Sequence, residues 1–313
     1  MTHPSHSGGE GILCCDVGHE RFAFRSSDVR HVERAEYMRP DRGADGQLGT
    51  LRLGGQLVPV FGLAEVLGRA CDDPSHRRSG HIAVTGDRNA LTGWLADRIE
   101  RTAEPAREDI AALPPLIGAQ ATSWFEGVVR LGEGESALLL APDRLVSAAP
   151  AVEPTPTESP FTHQRSAAGP ERVAVVFSTA VLPRSATSRF ALSGRQVAAI
   201  VQPSAPVAVP GSYDYVGGIT WWHRAIVPVI DFRAPSERTA YARQLIAQCG
   251  SRRYGALVAF SIDSDVRMCR PAADHRVLQE VPCPAFASGV FEVEGEAVAL
   301  LDLDALLSMP SES

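Results

Sequence analysis

The sequence predicts a mainly β protein made of two tandem copies of one domain, and three observations carry that expectation. First, the chain repeats itself: Gly49–Val60 and Gly218–Val229 superpose with Pro59 on Pro228, an offset of 169. Second, both copies are dominated by short apolar runs broken by Gly-rich turns, the pattern of small barrels or sandwiches. Third, a proline-rich stretch without apolar periodicity separates the copies. A chain of 313 residues accommodates two domains. The period is far longer than the roughly 20–50 residues of solenoid repeats.

The repeat is carried by four blocks in one order. Arg21-Phe22-Ala23-Phe24 matches Arg189-Phe190-Ala191-Leu192, and Val29 and Val32 fall on Val197 and Ile200, at an offset of 168. The Pro59/Pro228 block follows. Gly127-Val128 then matches Gly289-Val290, and Ala137-Leu138-Leu139 is aligned with Ala299-Leu300-Leu301, at an offset of 162.

In the first copy, Gly11–Val17 and Arg21–Phe24 read as strands joined by the turn Gly18-His19-Glu20. Gln47–Leu53 and Gln56–Phe61 form a second hairpin, because Gly54-Gly55 supplies the positive φ of a two-residue turn. His81–Thr85 with Ala90–Ala96 is a third, and Gly127–Leu131 with Ser136–Leu140 a fourth. The second copy repeats them as Arg172–Phe177, Arg189–Leu192, Val216–Trp222, Ile226–Phe232, Leu245–Cys249, Tyr254–Ala259, Ser288–Val293 and Ala297–Leu301. Helical turns are expected only at Leu63–Leu67, Ala106–Leu113 and Asp304–Leu307. Proline donates no ladder bond, so Pro59 and Pro228 are expected at an edge or a bulge. The resulting division is a disordered N-terminus 1–10, a first domain 11–147, a linker 148–170 and a second domain 171–308.

Composition excludes several functions. A net charge of −7 does not suit nucleic-acid binding or a polybasic membrane contact. No apolar run approaches the ~20 residues that span a bilayer, and no export signal is visible, so a cytoplasmic protein is expected. Its six cysteines form no C-x-x-C pair and read as reduced thiols. The histidines lack metal-ligand spacing, Gly132-Glu133-Gly134-Glu135 would repel phosphate, and no G-x-S-x-G elbow occurs. Asp263 and Asp265 read as a solvated loop. Neither catalysis nor a metal or other cofactor is expected.

The ordered blocks resemble the CheW-like domain, the adaptor module of bacterial chemosensory arrays, occurring here as a tandem pair. The resemblance rests on Phe22-Ala23-Phe24 with Val29 and Val32, and on Phe190-Ala191-Leu192 with Val197 and Ile200. It continues through Val209-Pro210-Gly211, Tyr213, Tyr215, Gly218-Ile219 and Val227-Pro228-Val229-Ile230-Asp231, with Gly49 and Leu57–Val60 as the first-copy remnant. The family's "G-l-l-V-D" segment looks like Gly93–Asp97. Aligned with Gly255–Ala259 in the second copy, it loses its Asp. The resemblance implies that each domain comprises two small five-stranded SH3-like β-barrels with a few short helices. It also implies a non-catalytic adaptor or scaffold that docks a CheA-type histidine kinase regulatory domain, chemoreceptor cytoplasmic tips or other CheW-like domains. The family's "l-R-G" Arg falls on Gly54 and on His223, and Gly cannot supply a planar fork of donors. That loss opens an alternative, a CheW-derived scaffold for polar localisation or array positioning without receptor–kinase coupling.

The candidate partner-binding residues follow from the hairpin tips. They are Trp221, Trp222, His223, Arg224 and Tyr215 in the second copy, and Arg52, Gly54 and Gln56 in the first. Neighbouring Trp221 and Trp222 point to opposite faces of a strand, so one is core and the other is covered or offered to a partner. Pro59, Pro228, Gly49, Gly218, Asp231 and Asp97 are read as structural motif residues. The second copy keeps more of the family pattern and is expected to carry the specialised contacts.

Overall fold

The computed structural model describes residues 11–41, 46–69, 79–87, 90–102, 105–132, 135–145, 173–182, 187–238, 243–249, 257–263, 265–270 and 284–307. The expected disordered residues 1–10, the linker 148–170, Cys71, Cys283 and Tyr254–Ala256 lie outside them. The first half contributes β1 (Ile12–Val17), β2 (Glu20–Arg25), β3 (Val29–Arg34), β4 (Arg39–Pro40), β5 (Gln47–Leu53), β6 (Gln56–Gly62), β7 (His81–Asp87), β8 (Ala90–Ala96), β9 (Arg98–Thr102), β10 (Ile110–Ala111), β11 (Phe125–Arg130) and β12 (Ser136–Leu140). The second contributes β13 (Ala174–Ser178), β14 (Arg189–Ser193), β15 (Val197–Val201), β16 (Val216–Trp222), β17 (Ala225–Ile230), β18 (Arg243–Gln248), β19 (Leu257–Ile262), β20 (Val266–Cys269), β21 (Ala287–Val293) and β22 (Glu296–Leu301). Among the described residues four short helices accompany them: α1 (Leu63–Val66), α2 (Ala119–Trp124), α3 (Pro142–Leu145) and α4 (Leu303–Leu307).

Pairing arranges the first half into sheets β10-β11-β12-β2-β1-β9 and β3-β7-β8-β6-β5-β4, and the second into β20-β13-β14-β22-β21 and β15-β18-β19-β17-β16. Without the two-residue strands β4 and β10, the order is the same in both halves. The expectation of five strands per unit therefore holds in the second half and is corrected to six in the first, where β4 and β10 extend the edges. Among the described residues no ladder joins the two end strands of any sheet. Each half is tied together by a parallel pair between its first and last hairpins, β2 with β12 and β14 with β22.

Alternation decides where the core sits. Ile12, Cys14 and Ala23 point into a small cluster private to their sheet, while Cys15, Val17, Phe22 and Phe24 point the other way into a large cluster. Both faces of these strands are buried, so they read as near-continuous apolar runs. Every sheet has such a private cluster. The large cluster joins residues of both halves, including Trp94, Ile117 and Trp124 with Tyr215, Ile226 and Phe260.

Backbone irregularities repeat with the fold. Bulges fall at Gln47/Gly49 and Val216/Gly218, at Phe125/Gly127 and Ala287/Gly289, and at Val29/His31 and Val197/Ala199. After the first pair, a Cβ on Gly49 would lie 2.5 Å from the Arg39 carbonyl oxygen, and one on Gly218 would lie 2.6 Å from that of Val207. An incoming segment crosses each bulge so closely that only glycine fits.

Several expectations change. Of the two places expected for Pro59 and Pro228, the edge is excluded, since β6 and β17 are interior strands, while each proline lies one rung from a bulge, at Gly49 and Gly218. The parallel ladders beside them begin only at Val60 and Val229, so neither proline is asked for a rung on that side. Ala106–Leu113 is a single 3-10 turn leading into β10, not a helix. Rungs Val128–Leu138 and Val290–Ala299 are equivalent, so Leu138, not Ala137, corresponds to Ala299. The second-half hairpin is one residue shorter, and the apolar run in β12 concealed the slip. Rungs Val60–Gly93 and Val229–Ala259 likewise make Gly93 the equivalent of Ala259, and Asp97 therefore the equivalent of Asp263. The motif Asp is retained: Asp97 N–H donates to the Asp16 carbonyl, and Asp263 N–H donates to the equivalent Ser178 carbonyl.

Candidate partner-binding site

The expected site residues concentrate on two equivalent hairpins, β5–β6 and β16–β17. Their registers run rung for rung: Arg52–Leu57 matches Trp221–Ile226, and Leu53–Gln56 matches Trp222–Ala225. Each is closed by two residues, Gly54-Gly55 or His223-Arg224.

The second-half hairpin is seated on the first half. Trp221 Nε1 donates to Ser136 Oγ at 2.9 Å, and the Arg130 guanidinium carbon lies 4.2 Å from the Trp221 ring centroid. Arg130 and Ser136 are a cross-strand pair of β11–β12. The same guanidinium donates through Nη2 to the His223 carbonyl at 3.0 Å. A planar cation both stacks by its face and donates by its edge, which an ammonium cannot do. At the rim, Arg224 Nη2 lies 3.2 Å from Glu108 Oε2, with both side chains well exposed. Such a pair contributes about 0–1 kcal/mol. A second contact runs beside it: Tyr213 N–H donates to the Ile117 carbonyl at 3.0 Å, and Gly211 packs on the Trp124 ring.

The tip carries backbone strain. His223 holds φ +54, the same value as Gly54 in the other hairpin. Histidine visits this region more readily than bulky residues do, yet at a cost that glycine escapes. Its ring sits 4.5 Å from that of Trp222 at 62°, an edge-to-face contact. Trp222 itself packs on the private cluster of Val227, Val229, Ile246 and Ala259. The two tryptophans thus divide as strand alternation requires: one serves its own sheet, the other the opposite half.

Tyr215, expected at the partner surface, is 7% exposed and stacked between Tyr213 and Phe232 at 5.5 and 5.3 Å. Asp231 is buried and held by Arg233, whose Nε and Nη2 donate to its two carboxylate oxygens at 3.0 and 2.7 Å. Arg238 crosses the same strand end, donating to the carbonyls of Asp231 and Val216. In the first half, Asp97 Oδ2 accepts from Gly18 N–H at 2.7 Å and so closes the β1–β2 turn. In the second half Thr179 performs that task, its hydroxyl donating to the Ser261 carbonyl and accepting from Val181 N–H. Asp263 is exposed, and Asp265 pairs with Arg189 and Arg267.

The first-half hairpin is the opposite case. Arg52, Gly54, Gln56 and Leu57 are exposed, Leu57 at 66% against 9% for its counterpart Ile226. The seat residues Arg130, Ser136 and Glu108 were not singled out from the sequence, since no local pattern tells that two strands far apart in the chain will meet. Among the described residues, no three His, Cys, Asp or Glu side chains gather as a metal site. Cys15 and Cys249 are buried, and that burial pushes their thiols up, Cys249 to about 12.

Comparison with known proteins gives two findings. The family model for the CheW-like domain matches residues 11–149 and again 179–311. Among solved structures, the crystal structure of the scaffolding protein TtCheW from Thermoanaerobacter tengcongensis aligns with 16% identity and a TM-score of 0.38, over 43% of this chain and 90% of that one. No curated protein sequence matches the chain.

Proposed function

The chain belongs to the CheW-like family, and from that premise we propose that it is a non-catalytic, cytoplasmic adaptor of a bacterial chemosensory system. Its partners on this reading are the regulatory domain of a CheA-type histidine kinase, chemoreceptor cytoplasmic tips and other CheW-like domains. The observation that supports it best is the seating of β16–β17 on β11–β12: a hairpin tip of this fold docks on a sheet of the same fold. Two linked modules make a second docking event intramolecular and raise avidity without a new contact. No helix among the described residues is long and apolar enough to cross a membrane.

We assign the partner contacts to the exposed tip residues Arg52, Gly54 and Gln56, together with the exposed rim residues His223 and Arg224. Trp221 is engaged within the chain, which moves the accessible tip from the second half to the first. The absence of Arg at Gly54 and His223 favours a second reading, a scaffold that positions arrays at a cell pole without coupling receptor to kinase. Immobilised full-length chain should retain the kinase regulatory domain or a receptor tip from the same organism. Failure to retain either overturns the coupling role, and array foci that persist in a strain lacking the kinase select the positioning role.

A further inference from the structure

We propose that this chain self-associates head to tail, with hairpin β5–β6 of one copy seated on β21–β22 of a second copy and Arg52 set against Glu292. The proposal rests on the reading of the hairpin tip as a docking element.

Duplication supplies the geometry. Within one chain, Trp221 of β16 meets the cross-strand pair Arg130–Ser136. The residue equivalent to Trp221 is Arg52, and the pair equivalent to Arg130–Ser136 is Glu292–Ala297. Among the described residues, each chain therefore has one hairpin seated and one unseated, and one seat occupied and one unoccupied. Both free elements are accessible, since Arg52 and Glu292 are exposed. Neither has an ion-pair partner among the described residues, whereas the neighbouring Glu294 and Glu296 are engaged by Arg267 and Arg189.

The chemistry has changed on both sides together. The internal contact sets a cation on the seat against an indole on the hairpin. The free contact sets a carboxylate on the seat against a guanidinium on the hairpin, an opposite-charge pair in the same place. Ala297 replaces the hydroxyl that accepts the indole N–H, a bond that Arg52 does not need. Apolar surface points the same way. Leu57 is 66% exposed where the seated Ile226 is 9%, and Tyr37, 61% exposed, stands where the second half has Ala205. Ala205 lines the cleft between the halves, facing the β1–β2 turn and Ser136. The two large apolar side chains exposed among the described residues of the first half thus lie at positions whose counterparts adjoin a partner sheet.

Hairpin and seat are different surfaces on opposite halves, so the contact is heterologous. It repeats from copy to copy and either closes into a ring or extends as a filament.

Sedimentation velocity of the purified full-length chain tests this. The average mass should rise with protein concentration and fall with added salt. Arg52→Glu and Glu292→Arg should each weaken association roughly tenfold or more by placing like charges in contact. Mixing the two single variants should restore association, because each then meets a complementary surface. Both positions are exposed, so unchanged melting temperatures show that the variants are folded. A wild-type chain that stays monomeric overturns the proposal, as does association that neither variant weakens. A monomeric chain that still retains the kinase domain overturns self-association and leaves the adaptor reading standing. An associating chain that retains neither kinase nor receptor does the reverse. If Arg52→Glu abolishes kinase retention and leaves association intact, the hairpin's occupant is the kinase domain and not a second copy.

Discussion

Hairpins β5–β6 and β16–β17 share paired length, register, bulge and the Val-Pro-Val segment, yet among the described residues only β16–β17 is seated on a neighbouring sheet. The difference separates what the fold requires from what docking requires. Positions that the backbone constrains, Gly49 with Gly218 and Pro59 with Pro228, are the same in both. Positions at the tip have diverged: Arg52 against Trp221, Gly54-Gly55 against His223-Arg224, Gln56 against Ala225. Duplication preserved the scaffold and freed the tips to acquire separate contacts.

The strongest test of this equivalence is to attack the shared scaffold. Gly49→Val and Gly218→Val each force a side chain onto a carbonyl oxygen of the crossing segment, 2.5 and 2.6 Å from the added Cβ. Each should cost about 3 kcal/mol or more, with Gly218 losing additionally through its φ of +136. Urea unfolding should show a loss of at least that size in both variants, the larger one in Gly218→Val. Tolerance of one substitution alone would break the equivalence.

The next largest effect should be asymmetric. Trp221→Ala removes an aromatic–cation contact, an indole hydrogen bond and packing against the shared cluster, for about 2 kcal/mol. Arg52→Ala, at the equivalent free position, should stay within about 0.5 kcal/mol. Calorimetry measures both, and equal effects would mean that the seating contributes nothing to stability.

A third comparison uses the buried thiols, Cys15 in the first half and Cys249 in the second. Burial raises both, Cys249 to about 12 with Asp304 adding to the effect. The folded chain therefore holds these protons longer than the unfolded chain does. Their contribution is complete below the unfolded thiol's range and is lost as pH rises through it toward the folded value, by up to ~1.4 kcal/mol per pH unit for each thiol. All 30 basic side chains are arginine, so no lysine titrates in that window. Melting temperature should fall above about pH 9, and Cys15→Ala with Cys249→Ala should each flatten part of that fall. A wild-type curve that is flat there would contradict the burial of both thiols.

Much of the fold was legible because its hairpins carry local signals. Gly54-Gly55 and Gly18-His19 mark turns, and Gln47–Leu53 was read at its observed limits. Strands β3, β9, β15 and β20 were not, since each lies at the end of its sheet. In β3 and β15 partly exposed residues also blur the apolar pattern. Register inside apolar runs was not legible either. Ala137–Leu140 and Leu257–Phe260 have no polar mark to fix their alignment, which is why Asp263 escaped recognition as the counterpart of Asp97. At the site, the tips were found from turn position and aromatic content. The seat was not, because Arg130 and Ser136 become a docking pair only through a contact between residues 85 or more positions apart.

The smallest and most discriminating comparison exchanges the tips themselves. Gly54→His introduces a side chain at φ +54 with no neighbour within 4 Å to hold it, and should cost about 1 kcal/mol. His223→Gly removes the same strain and also removes the ring contact with Trp222, which is worth about 0.5–1.5 kcal/mol. These terms oppose each other, so the net change should lie within about 0.5 kcal/mol of zero, with the Arg130 bond to the residue 223 carbonyl retained. Stabilisation by His223→Gly well beyond that range would show that the ring contact contributes little and that the tip is held in a strained conformation by the Arg130 bond alone. A matching loss in both exchanges would show instead that the two turns have different backbones in solution, and that the equivalence of the hairpins ends before their tips.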